Sequence, residues 1–529
     1  MSDTTMTAGH GAGKGQSAVS SDGRRMFVFL CMVFGMFMAI LDIQIVSASL
    51  SEIQAGLAAS SDEISWVQTS YLIAEVVMIP LSGFLSRALS TRWLFTASAV
   101  GFTAMSFMCA TATSIEQMIV YRALQGFLGG GMIPTVFASA YSIFPREKQP
   151  VVTPLIGLVA TLAPTIGPTI GGYLTDLFSW HWLFLINVVP GIFVILISAT
   201  MIDFDEPDFG LLEHFDWWGL LFMAGFLGSL EYVLEEGPTN DWFGDDTIFF
   251  LTILGSVSSV AFFFRVFMAR EPVVNLRAFS NRNFSVGSAF SFVVGIGLYG
   301  LTYLYPLYLS RVRGYSALQI GETMFVSGLT MFVCAPIAGR LIGKVDPRLM
   351  IAFGFGAFAY GTWMVTGLTA DWDFWELLVP QILRGVGIMM AMIPINNISL
   401  GTLPSSQIKN ASGLFNLMRN LGGAVGLALI NTVLNDRWDL HLARLHESVQ
   451  WANGVAVERL NEMTQAMSAL GSDAEQAALK TMAMQVRTQA EVMAFADVFM
   501  VLTVLFVGLL FLSPLMSRPE PGKGGGGGH

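Results

Sequence analysis

The sequence predicts an all-α polytopic membrane protein: two six-helix halves with two extra helices between them, fourteen transmembrane helices in all. Three observations predict it. The 529 residues are 53% hydrophobic and only 12% charged, with mean hydropathy +0.62, a composition wrong for a set of soluble domains. Apolar windows of about 20 residues, each long enough to cross a bilayer, recur roughly fourteen times. Two stretches of the first half return in the second at nearly one offset.

In chain order the apolar segments are 26–47, 62–85, 93–113, 116–142, 151–174, 181–202, 216–235, 246–269, 284–309, 318–342, 348–369, 374–400, 409–432 and 494–516. The first follows a polar Gly, Ser and Thr-rich stretch and lacks a small-residue cleavage site, so it reads as a retained helix and not a secretion signal. Alternate connections carry the basic residues: Arg24, Arg25, Arg87, Arg92, Arg146, Lys148, Arg270, Arg277, Arg282, Lys344, Arg348, Lys409 and Arg518 fall on one face. The loops at 48–61, 114–117, 175–180, 236–245 and 370–373 carry none, and Arg311 and Arg313 are the short-loop exceptions. The positive-inside rule then predicts that both termini are cytoplasmic.

The repeat joins "GFLSRALSTRWL" at 83–94 to "GRLIGKVDPRLM" at 339–350, and "LQGFLGGGMIP" at 124–134 to "LRGVGIMMAMIP" at 383–394. The offset is about 256 to 260 residues, which sets two six-helix halves around the two helices of 216–269. The implied organisation is a tail at 1–25, a half at 26–202, two inserted helices within 203–269, a half at 270–516, and a tail at 517–529.

Ionisable side chains singled out toward the centres of the spans are few: Asp42, Glu75, Arg122, Arg384 and Arg419. Such a charge costs on the order of 2.5 to 3.5 kcal/mol at a helix centre, so it tends to face a cavity or a partner. Counting the helix rise from the outer ends puts Asp42 and Arg122 both roughly 10 to 12 Å down, close enough to meet. An arginine there would hold Asp42 ionised, and protonation would release the pair, as a proton-driven switch requires. A lock between helices is the other reading. Glu75 lies deeper, roughly 16 Å down, with no fixed partner in view. It is a second proton carrier, a partner for a cationic substrate, or a further helix lock.

"APTIGPTIGGYL" at 163–174 places Pro164, Gly167, Pro168, Gly171 and Gly172 within one span. Proline removes a backbone hydrogen bond and glycine admits a neighbouring helix, so this span is a hinge or seal between the halves, or a site of ordinary small-residue packing. The polar segment 433–493 lies outside the bilayer and is helical in part, its "VERLNEMTQAMSAL" having apolar positions near helical spacing. It is a solvated hairpin, or a docking surface for a periplasmic partner.

Cys31, Cys109 and Cys334 all sit in apolar runs, which implies neither a disulfide framework nor a metal cluster. No G-x-x-x-x-G-K-[ST] motif is present, which argues against ATP hydrolysis by this chain. No Ser-His-Asp arrangement or metal-ligand spacing stands out either. The expectation is no enzyme, no cofactor beyond a proton gradient, and no nucleic-acid partner. The 29 methionines and 41 phenylalanines mostly face lipid or fill core, and the rest would suit an adaptable greasy pocket.

From about residue 26 to 516 these motifs resemble the fourteen-helix drug:proton antiporters of the major facilitator superfamily, the EmrB/QacA type. The first-helix motif of that family aligns with "LDIQIVSASLS" at 41–51, where Asp42 matches while Gln44, Ser47, Ser49 and Ser51 replace the usual Thr, Asn, Ala and Pro. Arg122, Gln125, Gly126 and the glycines 129 to 131 meet its fourth-helix motif. Gly167, Pro168, Gly171 and Gly172 meet its antiporter motif, with Ala163 in the first place. "WHWLFLINVVPG" (180–191), "EPVVNLRAFSNRNF" (271–284) and "SGLFNLMRNLGGAVG" (412–426) also resemble it. The gating-loop motif keeps Gly83, Leu85 and Arg92 but has Arg87 where the family in general has Asp and Ser90 where it has Gly.

The resemblance implies proton-coupling roles for Asp42 and Arg122; Glu75 joins them by its depth, and a substrate cavity is expected near Gln44, Gln125, Asn396 and Asn416. It implies a proton-driven exporter of hydrophobic or amphipathic compounds in the inner membrane, working by alternating access. Its partners would be a periplasmic membrane-fusion adaptor, received by 433–493, and an outer-membrane channel. A proton-coupled importer of a nutrient or siderophore on the same fold is the main alternative, since fold does not fix direction. A membrane-embedded enzyme or sensor is the third.

Overall fold

The computed structural model describes residues 13–516 apart from 48, 146, 270, 451 and 452; the expectations placed on Arg146, Arg270, Arg518 and the outermost parts of the two tails lie outside the described residues. The described chain is helical and contains no strand. In order it forms α1 (Gly13–Ser47), α2 (Leu50–Leu57), α3 (Ser61–Ala88), α4 (Ser90–Ala110), α5 (Ile115–Gly129), α6 (Met132–Ile143), α7 (Gln149–Leu177), α8 (Trp182–Leu185), α9 (Val188–Met201) and α10 (Gly210–Glu213). There follow α11 (Trp217–Glu236), α12 (Asp246–Met268), α13 (Arg282–Arg311), α14 (Ala317–Leu341), α15 (Pro347–Val365), α16 (Phe374–Gly401), α17 (Ser405–Ser448), α18 (Gly454–Ala466) and α19 (Ala474–Leu512).

The helix starts are written locally. Ser60 with Glu63, Ser316 with Gln319, and Asp373 with Glu376 form capping boxes at α3, α14 and α16, each satisfying orphan N–H groups as the chain turns into a span. Asp216, Asp245 and Asn281 cap α11, α12 and α13.

Twelve helices among the described residues are long and apolar enough to cross a membrane. The fourteen-span count exceeds this at two segments. The segment 116–142 is divided into α5 and α6 at Gly130 and Gly131, and 348–369 corresponds to α15, whose 19 residues include Arg348, Tyr360 and Trp363. The glycines in and beside the division pack closely on neighbouring helices. A Cβ on Gly126 would stand 2.3 Å from the Tyr71 carbonyl oxygen of α3, and one on Gly131 would stand 2.7 Å from Ser98 Oγ of α4. Only glycine lets both neighbours close on this helix.

α1, α3, α4, α5, α7 and α9 pack on one another, and α13 to α17 with α19 form a second bundle; α7 meets α14, and α3 meets α17, across the seam. The internal repeat recurs in the packing. Gly126 meets Tyr71 of α3, and Gly385 meets the Ser327 carbonyl of α14, where an added Cβ would stand 2.9 Å away. α11 and α12 pair with each other, and α11 lies against α3 and α17. The segment 433–493 is more regular than its composition suggests. α17 runs on to Ser448, α19 begins at Ala474, and α18 folds back on α19 through Leu460, Met463 and Ala478.

Candidate functional site

Asp42 and Arg122 are both fully buried, and Arg122 Nη1 donates to Asp42 Oδ2 at 2.6 Å. The carboxylate's other oxygen accepts from Asn187 Nδ2 at 2.7 Å and Gln125 Nε2 at 3.3 Å. Arg122 also donates from Nε to the Val67 carbonyl at 3.1 Å and from Nη1 to Gln125 Oε1 at 2.8 Å, with the guanidinium 4.3 Å from the centre of the Tyr71 ring. Taking two ions out of water is expensive, and the further hydrogen bonds to Asp42 and from Arg122 Nε and Nη1 offset part of that cost, while Arg122 Nη2 has no hydrogen-bond partner. Asn187 reaches Asp42 because the sixth span breaks between α8 and α9 at Ile186 and Asn187; the same amide donates to Ser106 Oγ at 3.2 Å.

Three other spanning charges are separate from this knot. Glu75 is 2% exposed and its Oε1 has no hydrogen-bond partner. Arg419 donates to Asn416 Oδ1 at 2.5 Å and lies over the Phe137 ring, 5.1 Å from its centre. Arg384 donates to Thr302 Oγ1 at 2.6 Å.

A cavity of about 580 Å³ lies between the bundles in the halves of the helices away from the face that carries Arg87 and Arg92, called here the outer cavity. Gln44, Gln68, Pro168, Glu235, Tyr299 and Asn431 are among its walls. Of the expected cavity residues only Gln44 lines it. Gln125 is spent on Asp42 and Arg122; Asn416 is held by Arg419 and the Ser412 carbonyl; Asn396 is 2% exposed within α16. The polarity of Gln125 and Asn416 serves buried hydrogen bonding, while Asn396 Nδ2 is buried without a hydrogen-bond partner.

On the basic face the bundles touch. A Cβ on Gly83 would stand 2.8 Å from Asn410 Cα, and Ser412 Oγ donates to the Pro134 carbonyl at 2.9 Å. Lys409 at the start of α17 donates to the Ser86 carbonyl at 2.9 Å and pairs with Asp205. Asp205 in turn accepts from the Thr91 backbone N–H at 3.0 Å, at the first turn of α4. Arg92, the other expected gating residue, lies instead over the Trp93 ring, 5.5 Å from its centre. The expected seal helix α7 fits closely on α1: added Cβ atoms on Gly167 and Gly171 would stand 2.4 Å from Gln44 Cβ and 2.6 Å from the Ile45 carbonyl oxygen. Its opposite side meets α14, where Gly321 accommodates Thr169.

The family model of the Major Facilitator Superfamily matches residues 32–427. The chain belongs to the Major Facilitator Superfamily. It is 42% identical over 491 residues to the Colistin resistance protein EmrB of Acinetobacter baumannii, covering 93% of this chain and 96% of that protein. To the Multidrug export protein EmrB of Escherichia coli K12 it is 29% identical over 493 residues, 93% and 95% of the two chains. In fold it is similar to the human organic anion transporter MFSD10, with TM-score 0.57 at 13% identity, over 91% of this chain and 99% of that one.

Within this Major Facilitator Superfamily chain the structure therefore unites Asp42 and Arg122, keeps Glu75 apart, and adds residues that sequence reading passed over. Asn187 stood inside a quoted motif without a role. Asp205 lies in a connection and was not singled out, and Lys409 served only to mark the basic face. Glu231 and Glu235 stand in the seventh span, and their membership of an apolar segment was signal enough to be examined with Asp42.

Proposed function

We infer that this multi-pass membrane protein is a proton-coupled exporter of hydrophobic or amphipathic compounds in the inner membrane, with fourteen spans and both termini cytoplasmic. The observation that carries the reading is the buried knot of Asp42, Arg122, Gln125 and Asn187. A carboxylate so placed is stable while it is ionised against Arg122. On gaining a proton it loses the charge attraction, and Arg122 keeps only the Val67 carbonyl and Gln125 as acceptors. The pair thus has two arrangements, and the helices α1, α3, α5 and α9 feel the difference. That is the element an ion gradient needs to bias.

The outer cavity, with contact between the bundles on the basic face, suits one of two alternately open states. Export as the direction, and drug-like compounds as cargo, are supported by what the two relatives' names say of those proteins. By the same resemblance the hairpin of α17, α18 and α19 would receive a membrane-fusion adaptor that leads to an outer-membrane channel.

The test uses inside-out vesicles carrying the wild type or Asp42→Asn, energised to an acidic interior, with interior pH followed by a fluorescent dye as compounds are added. Discharge by added compounds with the wild type alone is the expected result. Equal discharge by both forms would make Asp42 a structural residue. Uptake of a labelled nutrient into intact cells, lost in a deletion strain, would favour the importer.

A further inference from the structure

We propose that the cavity where α13, α17 and α19 meet binds the phosphate of an anionic phospholipid, in the leaflet away from the face that carries Arg87 and Arg92. The site shares no lining residue with the outer cavity and does not depend on what the protein carries.

This second cavity, about 340 Å³, has Arg311 of α13, Trp438 of α17, and Arg487, Thr488 and Glu491 of α19 in its walls. Its depth follows from the sequence. The apolar runs of the three helices are 284–309, 409–432 and 494–516, and these five residues stand no more than seven positions beyond the ends of those runs, about 10 Å at the rise of a helix. Arg311 is the last residue of its spanning helix. That depth is the headgroup layer of a bilayer and not its hydrocarbon, and it is also where tryptophan is enriched.

Basic residues are scarce at this end of the helices, where Arg311 and Arg313 interrupt the charge pattern of the short loops. Contacts within the chain account for Arg313, whose Nη1 donates to the Ala370 carbonyl at 3.0 Å and whose guanidinium lies 5.8 Å from the centre of the Tyr315 ring. Arg311 is half exposed, and its ion-pair partner Glu491 stands 3.6 Å away. Arg487 has no ion pair among the described residues. Arg437 and His441 of α17 face Asp497 instead of this cavity. The walls therefore set two guanidiniums against one carboxylate, a surplus of one positive charge. The single negative charge of a phosphodiester balances it. Guanidinium forks match phosphate oxygens in two-point contacts, and Thr488 and Trp438 add a hydroxyl and an indole N–H as further donors. A headgroup held there would tie the end of α13 to the parts of α17 and α19 that run on past their apolar stretches.

Native mass spectrometry of the full chain in detergent reads the first lipid bound. Dioleoylphosphatidylglycerol should bind about five-fold or more tightly than dioleoylglycerol, which has the same chains and no phosphate. In Arg311→Gln/Arg487→Gln this preference should fall to within about two-fold, with dioleoylglycerol binding retained as evidence that the surface is intact. Arg24→Gln/Arg25→Gln, on the other face, should keep the preference. Millimolar inorganic phosphate should displace no more lipid than chloride at the same ionic strength. A wild type without preference, a preference that survives in Arg311→Gln/Arg487→Gln, loss of both lipids from that variant, or a preference lost in Arg24→Gln/Arg25→Gln would each overturn the site. Displacement specific to inorganic phosphate would overturn it too, by assigning the cavity to a free anion.

Discussion

Lys409 donates to the Ser86 carbonyl at 2.9 Å and to the Asp205 carboxylate, so that one ammonium at the start of α17 holds the end of α3 and the chain that follows α9. The loop at 83–92 has Arg87 where the wider family has an aspartate. Here the carboxylate at the seam of the two bundles comes from Asp205, which also accepts from Thr91 N–H at the first turn of α4. The pair sets an acid of the first bundle against a base of the second across the seam.

The first prediction follows. Side-chain exposures of 19% for Lys409 and 20% for Asp205 make this a partly screened pair, worth about 1 kcal/mol, or about a five-fold change in a two-state population. Lys409→Ala should raise thiol labelling from the basic side of a cysteine placed at Ser139, in the polar recess beside Asp205, by about five-fold. The exchange Asp205→Lys with Lys409→Asp should return the rate toward that of the parent. Unchanged labelling in Lys409→Ala would mean that the seam is held by the close packing at Gly83 and the Ser412 hydroxyl contact alone.

Asn187 provides the second. Its amide makes the shorter of the two neutral hydrogen bonds to Asp42 Oδ1, 2.7 Å against 3.3 Å from Gln125. Asn187→Leu keeps the approximate volume and removes the donor, a loss of roughly 1.5 to 3 kcal/mol for a bond to a charged acceptor. Compound-dependent discharge of the vesicle gradient should fall by about ten-fold or more, while the protein still inserts. Asn187→Asp places a second carboxylate against Asp42 and should be worse. A full rate in Asn187→Leu would limit the working knot to Asp42, Arg122 and Gln125.

These two cases show what the sequence discloses. Asp42 and Arg122 were legible because each is a rare charge in an apolar run, and the constant rise of a helix turns position into depth. Asn187 was not, because its reach depends on a break between α8 and α9 that leaves the apolar pattern of 181–202 undisturbed. Asn416 marks the converse case. A polar side chain in a span can be consumed by a buried neighbour, as Asn416 is by Arg419, and composition does not distinguish that from a cavity wall. The repeat was readable because glycine contacts such as those of Gly126 and Gly385 tolerate no other residue.

The third prediction concerns the glycine and proline helix. A methyl added at Gly171 would stand 2.6 Å from the Ile45 carbonyl oxygen, so α1 or α7 must shift, at a cost of about 1 to 3 kcal/mol. Gly508, with nothing within 4 Å of an added Cβ, serves as the comparison. In detergent the melting temperature of Gly171→Ala should fall by several degrees and that of Gly508→Ala should not. Equal melting would show that the seam of α1 and α7 yields easily, and it would remove the reason for a close fit at the expected seal.

The hairpin of α17, α18 and α19 gives the last. Leu460 and Met463 of α18 pack on Ala478 of α19 with Met467 and Met482 beside them, a cluster separate from the main core. Burying an unpaired charge there is costly, so Met463→Lys should release α18 from α19. The main core shares no buried residue with this cluster, so melting of the membrane bundle should stay within about two degrees of the parent. Limited proteolysis should cut faster between 449 and 473 in the variant. Deletion of 440–490 should leave an inserted protein that no longer co-purifies with a membrane-fusion adaptor. If Met463→Lys keeps the adaptor and the deletion loses it, the docking surface is the extended part of α17 or α19. If both keep it, the adaptor binds elsewhere and the hairpin is a solvated connection.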